Sequence, residues 1–223
     1  MKKTVYSVVL SDEVVAEVDR LAYRHHMSRS AMIDRILAGY VSLTTPEQRI
    51  TSIFEELSAL LCAGDTFCEL SPPTPSAVSL RSALNYKYQP TVRYTVELYR
   101  EGGEEAGVIR VSTRTTNACL LSAMLEFCRM WAKTEARYGF PAESVWENGT
   151  FRRPIVRRRS PVAAGLPGQV SEAEMLAHYI SLFDQSMKAY FDGLCDGTAT
   201  GKRGQSGIDE AYVRYLEENR TVV

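Results

Sequence analysis

No stretch of the 223-residue chain is apolar over anything near the roughly 18 residues that a helical membrane span needs, so a membrane protein is not expected. Charge of one sign is missing as well. The 26 Lys and Arg residues against 27 Asp and Glu leave a formal net charge of -1. Any contact with nucleic acid must therefore come from local placement of charge. Cysteines are few and odd in number: Cys62, Cys68, Cys119, Cys128 and Cys195, with no CxxC pair. That pattern excludes a disulfide framework or a zinc ribbon, and most of the five are expected to be small core residues. Nothing near Cys62 or Cys68 marks either thiol as activated. Of the three histidines, only His178 lies beyond residue 26, which disfavours a nickel-type sensor site. No P-loop, no GxGxxG after a strand, no HExxH and no GxSxG is present, and each of these would be needed to hold a known phosphate, dinucleotide, zinc or acyl-transfer chemistry. We therefore expect no enzyme, no catalytic residue, no metal and no cofactor.

What is present is an ordinary globular composition, 45% hydrophobic and 24% charged, long enough for two units. Val5 to Leu10, behind Lys2 and Lys3, is too short for a signal-peptide core and leads straight into an amphipathic helix, which predicts a cytoplasmic chain. Lys3 to Leu10 alternates in the manner of a short strand, with Tyr6, Val8 and Leu10 on one side and Val5, Ser7 and Val9 on the other. With no second strand beside it, this strand must pair with something distant or with another copy of itself. Ser11 stands at an N-cap position, Asp12 and Glu13 fall in a first turn where the helix dipole favours acids, and Val14, Val18, Leu21 and Ala22 recur at helical spacing. This first helix is predicted to end near His25. Ser28-Arg29-Ser30 opens a second, with Ile33, Ile36, Leu37, Tyr40 and Val41 on its apolar face, ending near Ser42. Such a module of about 43 residues is too small to hold a core alone, so two copies are expected to interlock.

Val8-Val9-Leu10-Ser11-Asp12-Glu13-Val14, followed by Met27-Ser28-Arg29-Ser30-Ala31-Met32-Ile33, resembles the ribbon-helix-helix (MetJ/Arc/CopG) family of repressors. The resemblance covers residues 3 to 43. It implies that strands of two chains pair into a ribbon that enters the major groove of double-stranded DNA, while the N-terminus of the second helix meets a phosphate. It assigns Lys3, Val5, Ser7 and Val9 to the DNA-facing side of the ribbon, and Ser28, Arg29 and Ser30 to the phosphate contact. The sequence departs from the family pattern at the base-facing positions, where Ser7 is flanked by two valines that suit thymine methyl groups. It departs again at His26, where the turn between the helices usually has glycine; histidine tolerates positive φ better than most residues.

Thr45-Pro46-Glu47-Gln48 combines an N-cap, proline at N1 and a capping-box glutamine, and Ile50, Ile53, Phe54, Leu57, Leu60 and Leu61 continue as a helix to about Gly64. The proline-rich run Ser71 to Ser76 reads as an extended connector. Strands are predicted over Leu84–Tyr88, Val92–Tyr99 and Val108–Arg114, forming an antiparallel meander with an exposed acidic hairpin loop from Arg100 to Gly107. Thr116 or Asn117 caps a following helix that ends at Gly139 and covers one sheet face with Leu121, Met124, Cys128 and Trp131. The segment from Phe151 to Arg159 packs in Arg152, Arg153, Arg157, Arg158 and Arg159. It reads either as a basic arm making phosphate contacts or, more plainly, as a solvated loop or a segment pairing with the acidic hairpin. Ser171-Glu172-Ala173-Glu174 is a capping box opening a long amphipathic helix. Gly197 to Gly207 reads as flexible, with a short helix after it.

The sequence thus predicts an α+β protein in three parts: a ribbon-helix-helix module over 1–43, an α+β oligomerisation or effector domain over 44–197, and a flexible tail with a short helix over 198–223. The expected function is sequence-specific binding of double-stranded DNA by a homodimer or higher homo-oligomer, as a transcriptional regulator of repressor type, with no membrane contact and an effector left open. Two alternatives remain open from sequence: a DNA-binding accessory protein of a plasmid or mobile element, in transfer, partition or copy control, and an antitoxin or protein-interaction adaptor.

Overall fold

The computed structural model describes residues 7–40, 46–86, 89–100, 104–139, 144–156, 170–195, 197 and 202–218. Chain contacts divide it into two compact units, residues 1–49 and 50–223. The expected boundary after residue 43 falls outside the described residues. Among the described residues the fold is α+β, with six helices and a six-stranded antiparallel sheet, and no helix is long and apolar enough to cross a membrane.

The first unit contains helices α1 (Asp12–Arg24) and α2 (Arg29–Tyr40). Its buried core is small, consisting of Val18, Ala22 and Met32 with Leu21, Met27 and Ile33 partly buried around them. Among the described residues, Ser7 to Leu10 pair with no strand. The rest of the strand predicted over Lys3–Leu10 lies outside the described residues.

The second unit takes most of helix α3 (Pro46–Cys62), followed by strands β1 (Phe67–Ser71), β2 (Ala77–Ala83), β3 (Thr91–Leu98) and β4 (Glu105–Thr113). Helix α4 (Ala118–Arg137), the hairpin of β5 (Val145–Glu147) and β6 (Thr150–Val156), and helices α5 (Glu172–Cys195) and α6 (Lys202–Glu218) complete it. The strand order is β1-β2-β3-β4-β6-β5. Alternation sends Val78 and Leu80 of β2, Val92, Tyr94, Val96 and Leu98 of β3, Ile109 and Val111 of β4, and Phe151 and Ile155 of β6 into the core, as a sheet with one covered face requires. Gly107 sits beside a register shift between β4 and β6, and a Cβ there would lie 2.2 Å from the Glu97 carbonyl oxygen. Only glycine fits this approach of two strands.

The helix starts follow their local chemistry. Asn117 caps α4 by accepting from the Cys119 and Leu120 amides at 3.0 and 3.2 Å. At α5 the capping box is reciprocal: the Ser171 amide donates to Glu174 at 2.7 Å, and the Glu174 amide donates to Ser171 Oγ at 3.0 Å. These bonds satisfy amides that a helix start leaves without partners. In α3, Ile50, Ile53, Phe54, Leu57 and Leu61 are buried, in the 3-4 spacing of a single apolar stripe.

Three sequence expectations are corrected here. The strand expected over Leu84–Tyr88 lies instead at Ala77–Ala83, because Ser82 occupies an inward position and breaks the apolar alternation. The short helix expected through Ile208, Tyr212 and Tyr215 is the 17-residue α6, which starts at Lys202 inside the stretch expected to be flexible, and those three residues are buried. Tyr212 meets Trp131 edge-on with ring centroids 5.5 Å apart and stacks on Tyr138 at 5.7 Å, so packing outweighs the poor helix propensity of Gly204 and Gly207. The cysteines, too, are not mostly core residues. Cys128 is buried, Cys62 is partly buried, and Cys68, Cys119 and Cys195 are exposed.

An aromatic cluster fills the centre of the second unit. Phe183 touches Tyr94, Phe127, Trp131 and Phe151, with ring centroids between 5.0 and 6.3 Å apart. The Tyr94 hydroxyl donates to the buried Asp184 at 2.8 Å, whose carboxylate also pairs with Lys188 at 2.7 Å. Burial, followed by the Asp184 charge, raises the Tyr94 pKa well above its ordinary value, and burial followed by the Glu135 charge does the same for Tyr179. Burial also pushes Tyr190 and Tyr215 up to about 12. A tyrosine in the unfolded chain ionises near pH 10, so above that pH the unfolded state releases protons that the folded state keeps. The stability these hydroxyls contribute is intact below about pH 10 and is lost as pH rises through the raised values. Denaturant midpoints measured from about pH 8 to 12 are expected to hold and then fall. Tyrosinate absorbance is expected to show Tyr94 and Tyr179 ionising only with unfolding.

Candidate nucleic-acid interface

The first unit is built around the turn between α1 and α2. Ser11 has extended backbone at the α1 N-cap but makes no side-chain cap bond, while Asp12 and Glu13 occupy the first turn as expected. At the other end, the Met27 amide donates to the Ala22 carbonyl at 3.0 Å and the His26 amide to the Tyr23 carbonyl at 3.1 Å. This pair of bonds closes a helix when the intervening residue is left-handed. His26 is that residue, with φ of 52°, in the place where glycine carries no penalty.

Ser28 caps α2: its Oγ accepts from the Ala31 amide at 3.3 Å, and its carbonyl accepts from Met32 at 3.0 Å. The Arg29 and Ser30 amides belong to the first turn, which has no earlier carbonyls within the helix to bond. The Arg29 guanidinium is engaged by Asp19 of α1 through two bonds, Nε to Oδ1 at 2.6 Å and Nη2 to Oδ2 at 2.5 Å. This hydrogen-bonded pairing lowers the Asp19 pKa and raises that of Arg29. Arg29 therefore holds the start of α2 against α1, and the sequence did not foresee that positioning role.

The remaining residues expected at the interface are distributed unevenly. Ser7 and Ser30 are exposed and Val9 is 99% exposed, whereas Lys3 and Val5 lie outside the described residues. The side chains expected to face inward are also open to solvent in the single chain. Leu10 and Val14 are exposed, as are Ile36 and Leu37, the latter at 57%, and Tyr40 at 88%. Large apolar side chains of α1 and α2 are thus exposed around a core of three buried residues.

Of the five arginines in the expected basic arm, Arg152 and Arg153 are described. Arg152 pairs with Glu105 of the acidic hairpin at 3.2 Å, in line with the second of the two readings. Arg153 is 1% exposed and turned into the core, where it pairs with the equally buried Glu135 at 3.2 Å. It is removed from the candidate site because β6 is a strand whose period carries this residue inward beside Phe151 and Ile155. Arg157, Arg158 and Arg159 lie outside the described residues.

Among the described residues no group of three or more His, Cys, Asp or Glu side chains is placed to hold a metal ion. The gap bounded by Tyr94, Phe151, Arg153, Tyr179 and Phe183 is too narrow for a water molecule. Comparison with family models, with characterised proteins and with solved structures returns no match for this chain.

Proposed function

We propose that residues 1–43 form a ribbon-helix-helix module, and that the chain acts as a homodimeric, sequence-specific DNA-binding regulator of transcription, of repressor type. The carrying observation is the exposure of Leu10, of Val14 on α1, and of Ile36, Leu37 and Tyr40 on α2 around a core of three buried side chains. A core of three buried side chains is small for a folded domain, which supports a second copy of the same unit as the occupant of that surface. In the dimer the two N-terminal segments satisfy each other's backbone groups as a ribbon, with Ser7, Val5, Val9 and Lys3 toward the major groove. The Ser28-capped start of α2 offers the Arg29 and Ser30 amides to a phosphate, and the Arg29 side chain fixes the angle of that helix through Asp19. With Ser7 the one hydrogen-bonding side chain among the groove-facing positions Val5, Ser7 and Val9, selectivity draws on thymine methyl contacts and on duplex shape.

The test is selection from a random duplex pool with the full chain, followed by titration of the enriched sequence over a range of salt. An enriched palindrome or direct repeat, bound by an even number of chains with affinity falling as salt rises, is the expected result. A chain that stays monomeric at micromolar concentration and enriches no sequence overturns the reading.

A further inference from the structure

The sheet of the second unit keeps one face in the core; on the other face Arg81 and Arg93 of β2 and β3 are exposed, while Val108 and Pro154 of β4 and β6 are buried. On that second face two pairs of arginines stand directly opposite each other in register. Arg81 faces Arg93 between β2 and β3, and Arg110 faces Arg152 between β4 and β6. Like charges directly opposite on neighbouring strands destabilise the pairing, so each pair calls for negative charge. The second pair has it within the chain, since Glu97 pairs with Arg110 and Glu105 with Arg152. The first pair does not: Arg81 and Arg93 are both exposed, and neither makes an ion pair or hydrogen bond with its side chain among the described residues.

The surroundings of the uncompensated pair are rich in donors. One step along the strands, Ser79 and Thr95 face each other and share a hydrogen bond at 3.3 Å. Ser112 stands directly across from Arg93 on β4. The registers from β2 through β4 run without a bulge, so the two guanidinium stems are anchored on a regular platform. Opposed Cβ atoms on such a platform are about 5 Å apart, which lets both guanidinium forks converge on one anion. A carboxylate presents two oxygens and saturates a single fork, whereas a phosphoryl group presents three in a tetrahedral array that two forks share.

The geometry points to a phosphoryl-binding site on the exposed part of the sheet, formed by Arg81 and Arg93 with the hydroxyls of Ser79, Thr95 and Ser112 around it. The inference rests on strand register and not on the N-terminal module, so either can fail without the other. The ligand chemistry is that of a phosphate mono- or diester, supplied by a free phosphorylated molecule or by a nucleic-acid backbone.

The test compares the full wild-type chain with the R81Q/R93Q double variant and with R110Q, using inorganic phosphate against chloride at equal ionic strength. Phosphate stabilises most proteins by exclusion from their surface, so the informative quantity is the difference between variants. Wild type and R110Q are expected to gain several degrees more in Tm than R81Q/R93Q, as linkage requires for a bound ligand. In chloride the double variant is expected to be at least as stable as wild type, since a repulsion has been removed. A short duplex of arbitrary sequence distinguishes the sources. A salt dependence shallower by about 2 units of log K per log salt in the double variant assigns the site to backbone phosphates. Phosphate protection with an unchanged salt slope assigns it to a free phosphorylated ligand. Equal phosphate gains in all three proteins, together with an unchanged slope, overturn the proposal. So does polyglutamate protecting wild type as well as phosphate does.

Discussion

Glu135→Leu is expected to destabilise the second unit by roughly 3–5 kcal/mol, the range found when one partner of a buried ion pair is removed. The pair is fully enclosed: Glu135 and Arg153 are each 1% exposed. Arg153 Nε donates to Glu135 Oε1 at 3.2 Å, and Nη2 lies 3.2 Å from the same oxygen in the ion pair. The Tyr179 hydroxyl donates to the same oxygen at 3.1 Å and accepts from Trp131 Nε1 at 3.0 Å. The guanidinium carbon lies 4.4 Å from the Tyr179 ring centroid. Burial works against the Arg153 charge, yet Tyr179 and Glu135 outweigh it, so its pKa lies above the ordinary value. With Glu135 gone, Arg153 can neither lose its proton nor reach water, and the desolvation penalty stands uncompensated. Arg153→Met is expected to be milder, because the carboxyl left behind can take up a proton. The double variant Glu135→Leu with Arg153→Met is expected to recover most of the loss. Urea midpoints of the four proteins close a double-mutant cycle. Additive losses in the two single variants would show that the pair is not coupled.

That buried pair also marks where the sequence hid the fold. Five arginines within nine residues suggested composition first, a basic arm or a loop. The period that matters is strand alternation, with Phe151, Arg153 and Ile155 inward. A charged residue at an inward position reads as a break in pattern until its partner, 18 positions away on α4, is known. A local signal was nevertheless present. Asn148-Gly149 joins β5 to β6 with φ of 49° and 76°, the two positive values of the tightest hairpin turn, for which this dipeptide is the strongest sequence cue. Pro154 fits within β6 because β5 pairs only with residues 150–152, leaving the strand beyond it without a neighbour on that side.

Features that depend on a few adjacent residues were legible: the capping box at Ser171 and Glu174, the Asn117 cap, and the left-handed turn at His26. Those fixed by distant contacts were not. Helix α6 begins in a glycine-rich stretch and owes its place to Trp131 and Tyr138. In the first unit the residue types at the start of α2 were readable, but the role of Arg29 was not, because Asp19 lies ten positions away on another helix. The open arginine pair on the sheet was equally hidden, since Arg81 and Arg93 become neighbours only through the β2–β3 register.

Ile36→Glu together with Leu37→Glu is expected to abolish the dimer and lower affinity for the selected DNA site by at least about 100-fold. Both side chains are exposed in the single chain, and the buried anchor of α2 is Met32. Nothing within the protomer is therefore crowded or emptied by the change. Glutamate is a good helix former, so α2 itself should persist. In the proposed dimer the same positions become core, where four carboxylates without partners cost several kcal/mol. Each kcal/mol is multiplied into DNA affinity, because a ribbon needs both chains and a monomer has half the phosphate contacts. Sedimentation is expected to show wild-type dimer and variant monomer, and fluorescence anisotropy on the selected duplex gives the affinity ratio. Glu17→Gln, an exposed change on α1 that removes its interactions with Arg20 and Arg24, is expected to leave both unchanged. A double glutamate variant that remains dimeric with full DNA affinity would place the interlocking surface elsewhere. One that turns monomeric and still binds the site at wild-type affinity would sink the ribbon mechanism, since a single strand cannot form it.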